Sequence, residues 1–126
     1  MRVELAEKAG FCFGVSRAVD IVFREASKDG RPVFTYGPII HNEEVAADLE
    51  EKGVRIIDSV EEAAALSGAT VILRSHGVPR SEQEALSDAG LTVVDAACPY
   101  VKRIHRIVRE YSEKGYLVLV IGSGDH

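Results

Sequence analysis

The chain of 126 residues contains two cysteines, and each follows a predicted strand and precedes a predicted helix. Cys12 lies within Gly10–Val15, between two phenylalanines and two glycines. Cys98 is followed by Pro99, which suits the first turn of a helix because the N–H that it lacks has no partner there. Unpaired N–H groups at a helix N-terminus favour an anionic sulfur. A single cysteine is often an inert apolar residue, but two in the same kind of turn favour a shared ligand.

Three of the four histidines also lie shortly after predicted strands, namely His41, His76 and His126. The fourth, His105, falls inside a predicted helix and is interpreted as structural. Parallel sheets bind their ligands outside the carboxyl ends of the strands. We therefore expect the two cysteines and these three histidines to lie along one rim of the sheet.

The residue types on this rim limit its chemistry. Thiolates bind zinc and iron–sulfur clusters, whereas imidazoles bind zinc when neutral and phosphates when protonated. The two cysteines are far apart in the sequence, so the closely spaced ligand pairs of structural zinc modules are absent. Histidines on glycine-rich turns, together with helix N-termini, suit an anionic small molecule. The residues thus predict a cysteine-ligated centre and an anion site.

The elements that must position these residues alternate regularly between strand and amphipathic helix. This alternation predicts an α/β fold with a mostly parallel sheet and helices on both faces. Asn42 and two capping boxes, Ser59 with Glu62 and Ser81 with Glu84, indicate where three helices begin. The predicted strands cover residues 2–5, 32–36, 54–57, 70–73, 91–95 and 116–121.

The composition, 46% hydrophobic and 28% charged, is typical of a globular protein with one domain, or one domain and part of another. The net charge of −5 argues against nucleic acid as the main partner. The densest basic run, Lys102 and Arg103 with Arg106 and Arg109, is interpreted as the solvated face of a helix. No apolar run suits a membrane span and no signal peptide precedes the first predicted strand. We therefore expect a cytoplasmic protein without a membrane partner, in which the two cysteines form no disulfide.

Four motifs together resemble those of the 4-hydroxy-3-methylbut-2-enyl diphosphate reductases, the LytB family. They are GFCFGV at 10–15, GPIIHN at 37–42, RSHG at 74–77 and DAACP at 95–99. The resemblance implies three similar α/β domains around a [4Fe-4S] cluster. It also implies the last reaction of the methylerythritol phosphate route to isoprenoids, in which an allylic diphosphate loses hydroxide by two-electron reduction. The products are isopentenyl and dimethylallyl diphosphates, and the electron donor is a protein such as ferredoxin or flavodoxin.

The same resemblance implies roles for individual residues. Cys12 and Cys98 match two of the three cysteines that hold the family's cluster. His41, His76 and His126 match the histidines that bind the diphosphate and the allylic alcohol region. The third cysteine and the family's proton-relaying glutamate are not in this sequence, so no catalytic residue is expected within the chain.

The chain is therefore expected to be an N-terminal portion of such a reductase and inactive by itself. Residues 1–96 are predicted to form the first α/β domain, and residues 97–126 the start of the second. Residues 1–13 are candidates for packing on a further, C-terminal domain. The alternative is a non-catalytic α/β domain that binds metal through thiolates or is purely structural. Iron content and visible absorption after anaerobic reconstitution distinguish the two.

Overall fold

The computed structural model describes residues 1–7, 9–28, 30–66 and 68–122. Helices and strands alternate along this part of the chain, as the sequence predicts. The elements are α1 (Phe13–Ala26), β1 (Val33–Tyr36), α2 (Glu43–Glu51), β2 (Arg55–Ile57), α3 (Val60–Ala64), β3 (Thr70–Leu73), α4 (Arg80–Asp88), β4 (Thr92–Asp95) and α5 (Pro99–Glu113).

The four strands form one sheet in the order β2-β1-β3-β4, and every pairing in it is parallel. The central strands β1 and β3 are buried along their whole length, as expected for strands covered by helices on both faces. Each of the four strands lies within one residue of its predicted bounds. The predicted α/β fold with a parallel sheet is therefore confirmed.

Each face of the sheet carries its own hydrophobic core. Alternation along the strands sends Val33 and Ile72 to the face covered by α1 and α2, and Phe34 and Leu73 to the face covered by α3 and α4. The α1 residues Ala18 and Val22, one turn apart, have no exposed surface. The first core is made of Ala18, Val19, Ile21, Val22, Val33, Ile39, Ile40, Leu49, Val54, Ile72 and Ala96.

Two of the three predicted helix starts are confirmed by their caps. The Asn42 side chain accepts a hydrogen bond from the Val45 N–H at 3.0 Å, and the Ser59 hydroxyl accepts one from the Glu62 N–H at 3.2 Å. The third prediction, a cap at Ser81, is wrong. Here the helix begins at Arg80, so Ser81 lies inside its first turn, and the N-cap residue is Pro79, whose side chain has no acceptor for a capping bond.

The predicted strands at 2–5 and 116–121 are wrong: neither segment pairs with a strand among the described residues. Their apolar side chains are largely exposed, with Leu5 at 91% and Leu117 at 88%. A period-two or continuous apolar pattern becomes a strand only where a neighbouring strand satisfies its backbone. The edges of this sheet, β2 and β4, do not pair with either segment.

Helix α5 forms as predicted, but none of its residues is buried. We call Ile104, Ile107 and Tyr111 the exposed face of α5; they are 52%, 44% and 43% exposed. The domain boundary predicted after residue 96 stays a prediction. None of the helices in the described ranges is long and apolar enough to cross a membrane.

Candidate functional site

Cys12 is the N-cap residue of α1, with an extended backbone (φ −64°, ψ 161°). Its carbonyl accepts the first helical hydrogen bond, from the Ser16 N–H at 3.0 Å. The thiol is free and exposed, and its side chain makes no capping bond. The turn is therefore placed before a helix as predicted, although no strand is found among the described residues that precede it.

Cys98 has the same position at α5, where it is the N-cap and Pro99 opens the helix. Its N–H donates to the Ser75 carbonyl at 2.8 Å, which ties the start of α5 to the end of β3. The thiol is free and half-buried. Both cysteines thus present sulfur at a helix N-terminus, where the helix dipole favours negative charge.

The two cysteine turns meet at Gly14, in the first turn of α1. A Cβ placed on Gly14 would lie 2.5 Å from the Cys98 Sγ, which is closer than real Cβ contacts allow. Arg17, one turn further along α1, points an Nη1 at the Ala96 and Ala97 carbonyls, both at 3.4 Å. A glycine and an arginine of α1 therefore hold the Cys98 turn against the helix that begins at Cys12.

Asp95 fixes the same turn from the other side. One carboxylate oxygen accepts the Ala97 N–H at 2.8 Å, and the other contacts the Lys102 ammonium in the first turns of α5. The Asp95 carboxylate thus bonds the backbone immediately before Cys98 and a lysine that follows it in α5. The Cys98 turn is therefore anchored on both sides of the thiol.

His41 and His76 come together at the ends of β1 and β3. Their ring centroids are 6.1 Å apart, with planes inclined at 34°. The Ser75 N–H donates to the Ile39 carbonyl at 3.5 Å, so the backbones of the two turns are also joined. His41 is exposed and His76 half-buried. His126, the third predicted histidine, lies outside the described residues.

Arg74 supports both histidine turns. Its Nε donates to the Gly77 carbonyl at 3.3 Å, and its Nη1 would lie 3.2 Å from a Cβ on Gly37. Gly37 and Gly77 both have positive φ (70° and 79°), a conformation that favours glycine. Gly37 and Gly77 therefore allow the tight turns of the two histidine motifs, and both turns contact the Arg74 side chain.

Several residues of this region are not among the predicted site residues. Arg17 positions the Cys98 turn through bonds to carbonyls 79 and 80 positions away, whereas Arg74 and Asp95 bond locally, within the RSHG and DAACP motifs. His105, interpreted as structural, is exposed, and its Cε1 would lie 3.2 Å from a Cβ on Gly77. Its position in the sequence, three residues after Lys102 on the polar side of α5, was the signal that His105 is not a buried structural residue.

An open groove of about 1130 Å³ runs from His76 between α4 and α5. It is lined by charges of both signs, some of them paired: Arg80 with Glu84 at 2.6 Å, and Lys102 with Asp95. Arg106 and Arg109 also line it, so three of the four residues of the basic run of α5 face this groove. The groove is thus open to solvent and lined by charges of both signs.

Among the described residues, no group of three His, Cys, Asp or Glu side chains is arranged to hold a metal ion. Two free thiols at adjacent helix N-termini fit part of a thiolate-bound cluster, and the paired imidazoles fit an anion. The shared ligation of Cys12 and Cys98 therefore stays a prediction.

The family model described as "LytB protein" matches residues 3–126. Curated relatives include the 4-hydroxy-3-methylbut-2-enyl diphosphate reductases of Caldanaerobacter subterraneus subsp. tengcongensis, at 45% identity over 128 residues, and of Trichlorobacter lovleyi, at 49% over 126 residues. Each alignment covers 100% of this chain and 44% of the relative. The chain therefore spans less than half the length of the curated relatives that it matches.

Solved structures agree with this assignment. A structure of (E)-4-hydroxy-3-methyl-but-2-enyl diphosphate reductase, the terminal enzyme of the non-mevalonate pathway, superposes with a TM-score of 0.82 at 42% identity. It matches over 96% of this chain and 42% of that one. The E-1-hydroxy-2-methyl-but-2-enyl-4-diphosphate reductase of Plasmodium falciparum gives a TM-score of 0.87 at 29% identity, over 95% of this chain and 37% of that one. The chain belongs to the LytB family.

Proposed function

We propose that this chain forms part of a 4-hydroxy-3-methylbut-2-enyl diphosphate reductase. The observation that carries the proposal is the contact between Gly14 and Cys98, which brings the two cysteine motifs together although they are distant in the sequence. The paired rings of His41 and His76 add a place for an anion. Membership of the family and the names of the relatives supply the reaction class.

In this proposal Cys12 and Cys98 are two ligands of a [4Fe-4S] cluster. When bound, such a cluster supplies electrons and a Lewis-acidic iron for the substrate's hydroxyl. The described residues offer two thiols. The proposal therefore needs a third thiolate, from a region that the relatives have and this chain does not match. The domain division after residue 96 is part of the same proposal.

His41 and His76 bind the diphosphate of the substrate in this scheme, with His126 as the third histidine. Imidazolium N–H groups complement phosphate oxygens, and the Arg74 contacts hold the two turns so that little reorganisation is needed on binding. The reaction consumes two electrons and two protons. The allylic C–O bond breaks, its oxygen leaves as water, and the second proton is added to the allylic carbon skeleton.

An external protein, such as ferredoxin or flavodoxin, delivers the electrons in this proposal, and the cytoplasm is the proposed location. The free state of both cysteines is consistent with a reducing compartment. The chain's net charge of −5 and the mixed charges of the groove give no support to a nucleic-acid partner.

Anaerobic reconstitution with ferrous iron and sulfide tests the ligand assignment. The purified chain should take up iron and sulfide into a labile cluster with visible absorption, and either Cys12→Ser or Cys98→Ser should abolish it. Without the third thiolate and the acid–base group, turnover should be at least about 10²–10⁴-fold below that of a full-length relative. Zinc uptake without iron–sulfur absorption, unchanged in both variants, would support a structural metal-binding domain instead.

The anion site is tested separately with inorganic pyrophosphate as the probe. His41→Ala and His76→Ala should each weaken its binding about tenfold or more, because each removes a hydrogen bond to a charged group. Arg103→Ala is the control, since it removes an exposed cationic side chain of α5 that does not line the groove beside His76. Equal losses in all three variants would show that the histidine pair has no special role.

A further inference from the structure

A second, more enclosed cavity of about 340 Å³ lies beside the His41 turn, between α2 and the edge of the sheet. Its wall is formed by Pro38, Ile39 and Ile40 before α2, and by Leu49 near the end of α2. Ile56 of the edge strand β2 lies on the same face and is 50% exposed, because α2 does not close over it. The gap is therefore built into the packing of α2 on the sheet.

The inner wall of the cavity is apolar, whereas two charged and exposed residues, Glu50 and Arg55, lie at its rim. Ile39, Leu49 and Val54 are 4%, 5% and 4% exposed and leave an apolar surface facing the space. Thr35, 2% exposed, is the polar residue among the buried lining residues, and Glu50 lies at the exposed side. Atoms that line an empty apolar space lose dispersion contacts, and such cavities bind hydrocarbons rather than ordered water.

Residues of the cavity wall are linked to both histidine turns, to one through the chain and to the other through a hydrogen bond. Ile39 and Ile40 form part of its wall, and His41 is the next residue in the chain. The Ile39 carbonyl accepts the Ser75 N–H, and His76 follows Ser75. A molecule that presses on this wall therefore acts on the backbone of both turns.

We propose that this cavity binds a small, neutral, mainly hydrocarbon molecule, and that its occupancy adjusts the His41 turn. A space more than twice as large as the roughly 150 Å³ cavity known to hold benzene accepts a branched chain of six or more heavy atoms. One hydroxyl of such a ligand has a partner in Thr35. The site is separate from the cysteines and goes beyond the proposed reductase function.

The experiment is an NMR titration of the purified chain with 3-methylbutan-1-ol, using butane-1,4-diol as a probe of the same heavy-atom count but higher polarity. We expect saturable binding of the branched alcohol in the millimolar range and at least tenfold weaker binding of the diol. Saturation should shift the imidazole resonances of His41 and His76. The ring resonances of Tyr111, near the end of α5, should stay unchanged.

Ala46 lines the cavity on α2, whereas Ala47 beside it does not, which gives a matched pair of variants. Ala46→Phe should fill the space and weaken binding at least tenfold, Ala46→Leu should weaken it less, and Ala47→Phe should leave it unchanged. Both alanines are exposed, so folding is expected to survive. Undiminished binding in Ala46→Phe, equal binding of the diol, or shifts at Tyr111 alone would overturn the proposal.

Discussion

Helices α1 and α5 are alike in sequence and opposite in environment. Each begins directly after a cysteine, they have 14 and 15 residues, and both carry a clear apolar face. Five residues of α1 are buried, whereas none of α5 is. The difference shows that an amphipathic pattern predicts a face to be covered but does not say what covers it.

The physical cause is the surface that each helix can reach. Helix α1 lies along the sheet, and Ala18 and Val22 pack against the core beside Ile72. Helix α5 is tied to the same domain through its first turns, by the Cys98–Ser75 hydrogen bond and the Asp95–Lys102 contact. Its polar side, with His105 and Arg106, faces the groove beside α4. The exposed face of α5 is consequently directed away from the sheet.

The largest expected effect is in the buried region. Ile72→Ala removes a side chain with no exposed surface between α1 and the sheet, and should lower the free energy of unfolding by about 2–5 kcal/mol. Urea unfolding followed by circular dichroism measures this loss. A loss of unfolding free energy below about 0.5 kcal/mol would contradict the contrast between the buried surroundings of α1 and the exposed face of α5.

A pH-dependent effect should also be confined to the buried region. Burial, with a hydrogen bond to Glu82 as the second cause, raises the pKa of Tyr36 to about 12. The phenol of an unfolded chain titrates near pH ~10, so above that pH the unfolded state loses its proton while the folded state keeps it. Stability is therefore full below about pH 10 and falls by up to about 1.4 kcal/mol per unit as the pH rises toward 12.

The measurement compares unfolding free energies of variants between about pH 9 and 11, one unit below and one unit above the unfolded phenol's pKa. Tyr36→Phe should lose this part of the alkaline decline. Tyr111→Phe, on the exposed face of α5, is the control and should keep it. The same decline in Tyr36→Phe as in the parent chain would contradict the assignment to Tyr36.

The junction of the two regions is tested by Gly14→Ala. The added Cβ would meet the Cys98 Sγ at 2.5 Å, so α1 and the Cys98 turn must move apart. We expect a loss of about 1–3 kcal/mol in unfolding free energy, as for overpacked sites, and reduced iron uptake on reconstitution. Gly122→Ala is the control, because its Cβ would meet open space. Normal iron uptake in Gly14→Ala would show that iron binding does not depend on the close approach of the two cysteine turns.

The smallest effect on stability is expected on the exposed face of α5. Ile104→Asn replaces a side chain that is 52% exposed and should change the unfolding free energy by no more than about 0.5 kcal/mol. Sedimentation velocity should show less self-association, since a contiguous apolar surface is reduced. A loss comparable to that of Ile72→Ala would mean that this face is covered in solution.

The sequence by itself determined the elements whose information is local. The alternation of the four strands with helices, the caps at Asn42 and Ser59, and the placement of both cysteines before a helix all follow from side-chain spacing and terminal hydrogen bonding. The four family motifs carried the family assignment in the same way, because each is a short contiguous run.

Only the tertiary structure decided what depends on a distant neighbour. The segments 2–5 and 116–121 have strand-like patterns, but no strand in the described part of the chain lies beside them, so they are not strands here. Arg17 bonds carbonyls 79 and 80 positions away, and no sequence pattern marks that contact. The closeness of Gly14 to Cys98 and the cavity under α2 are likewise products of packing. A pattern fixes which face of an element is apolar, whereas the free energy gained depends on the surface that the rest of the chain brings to it.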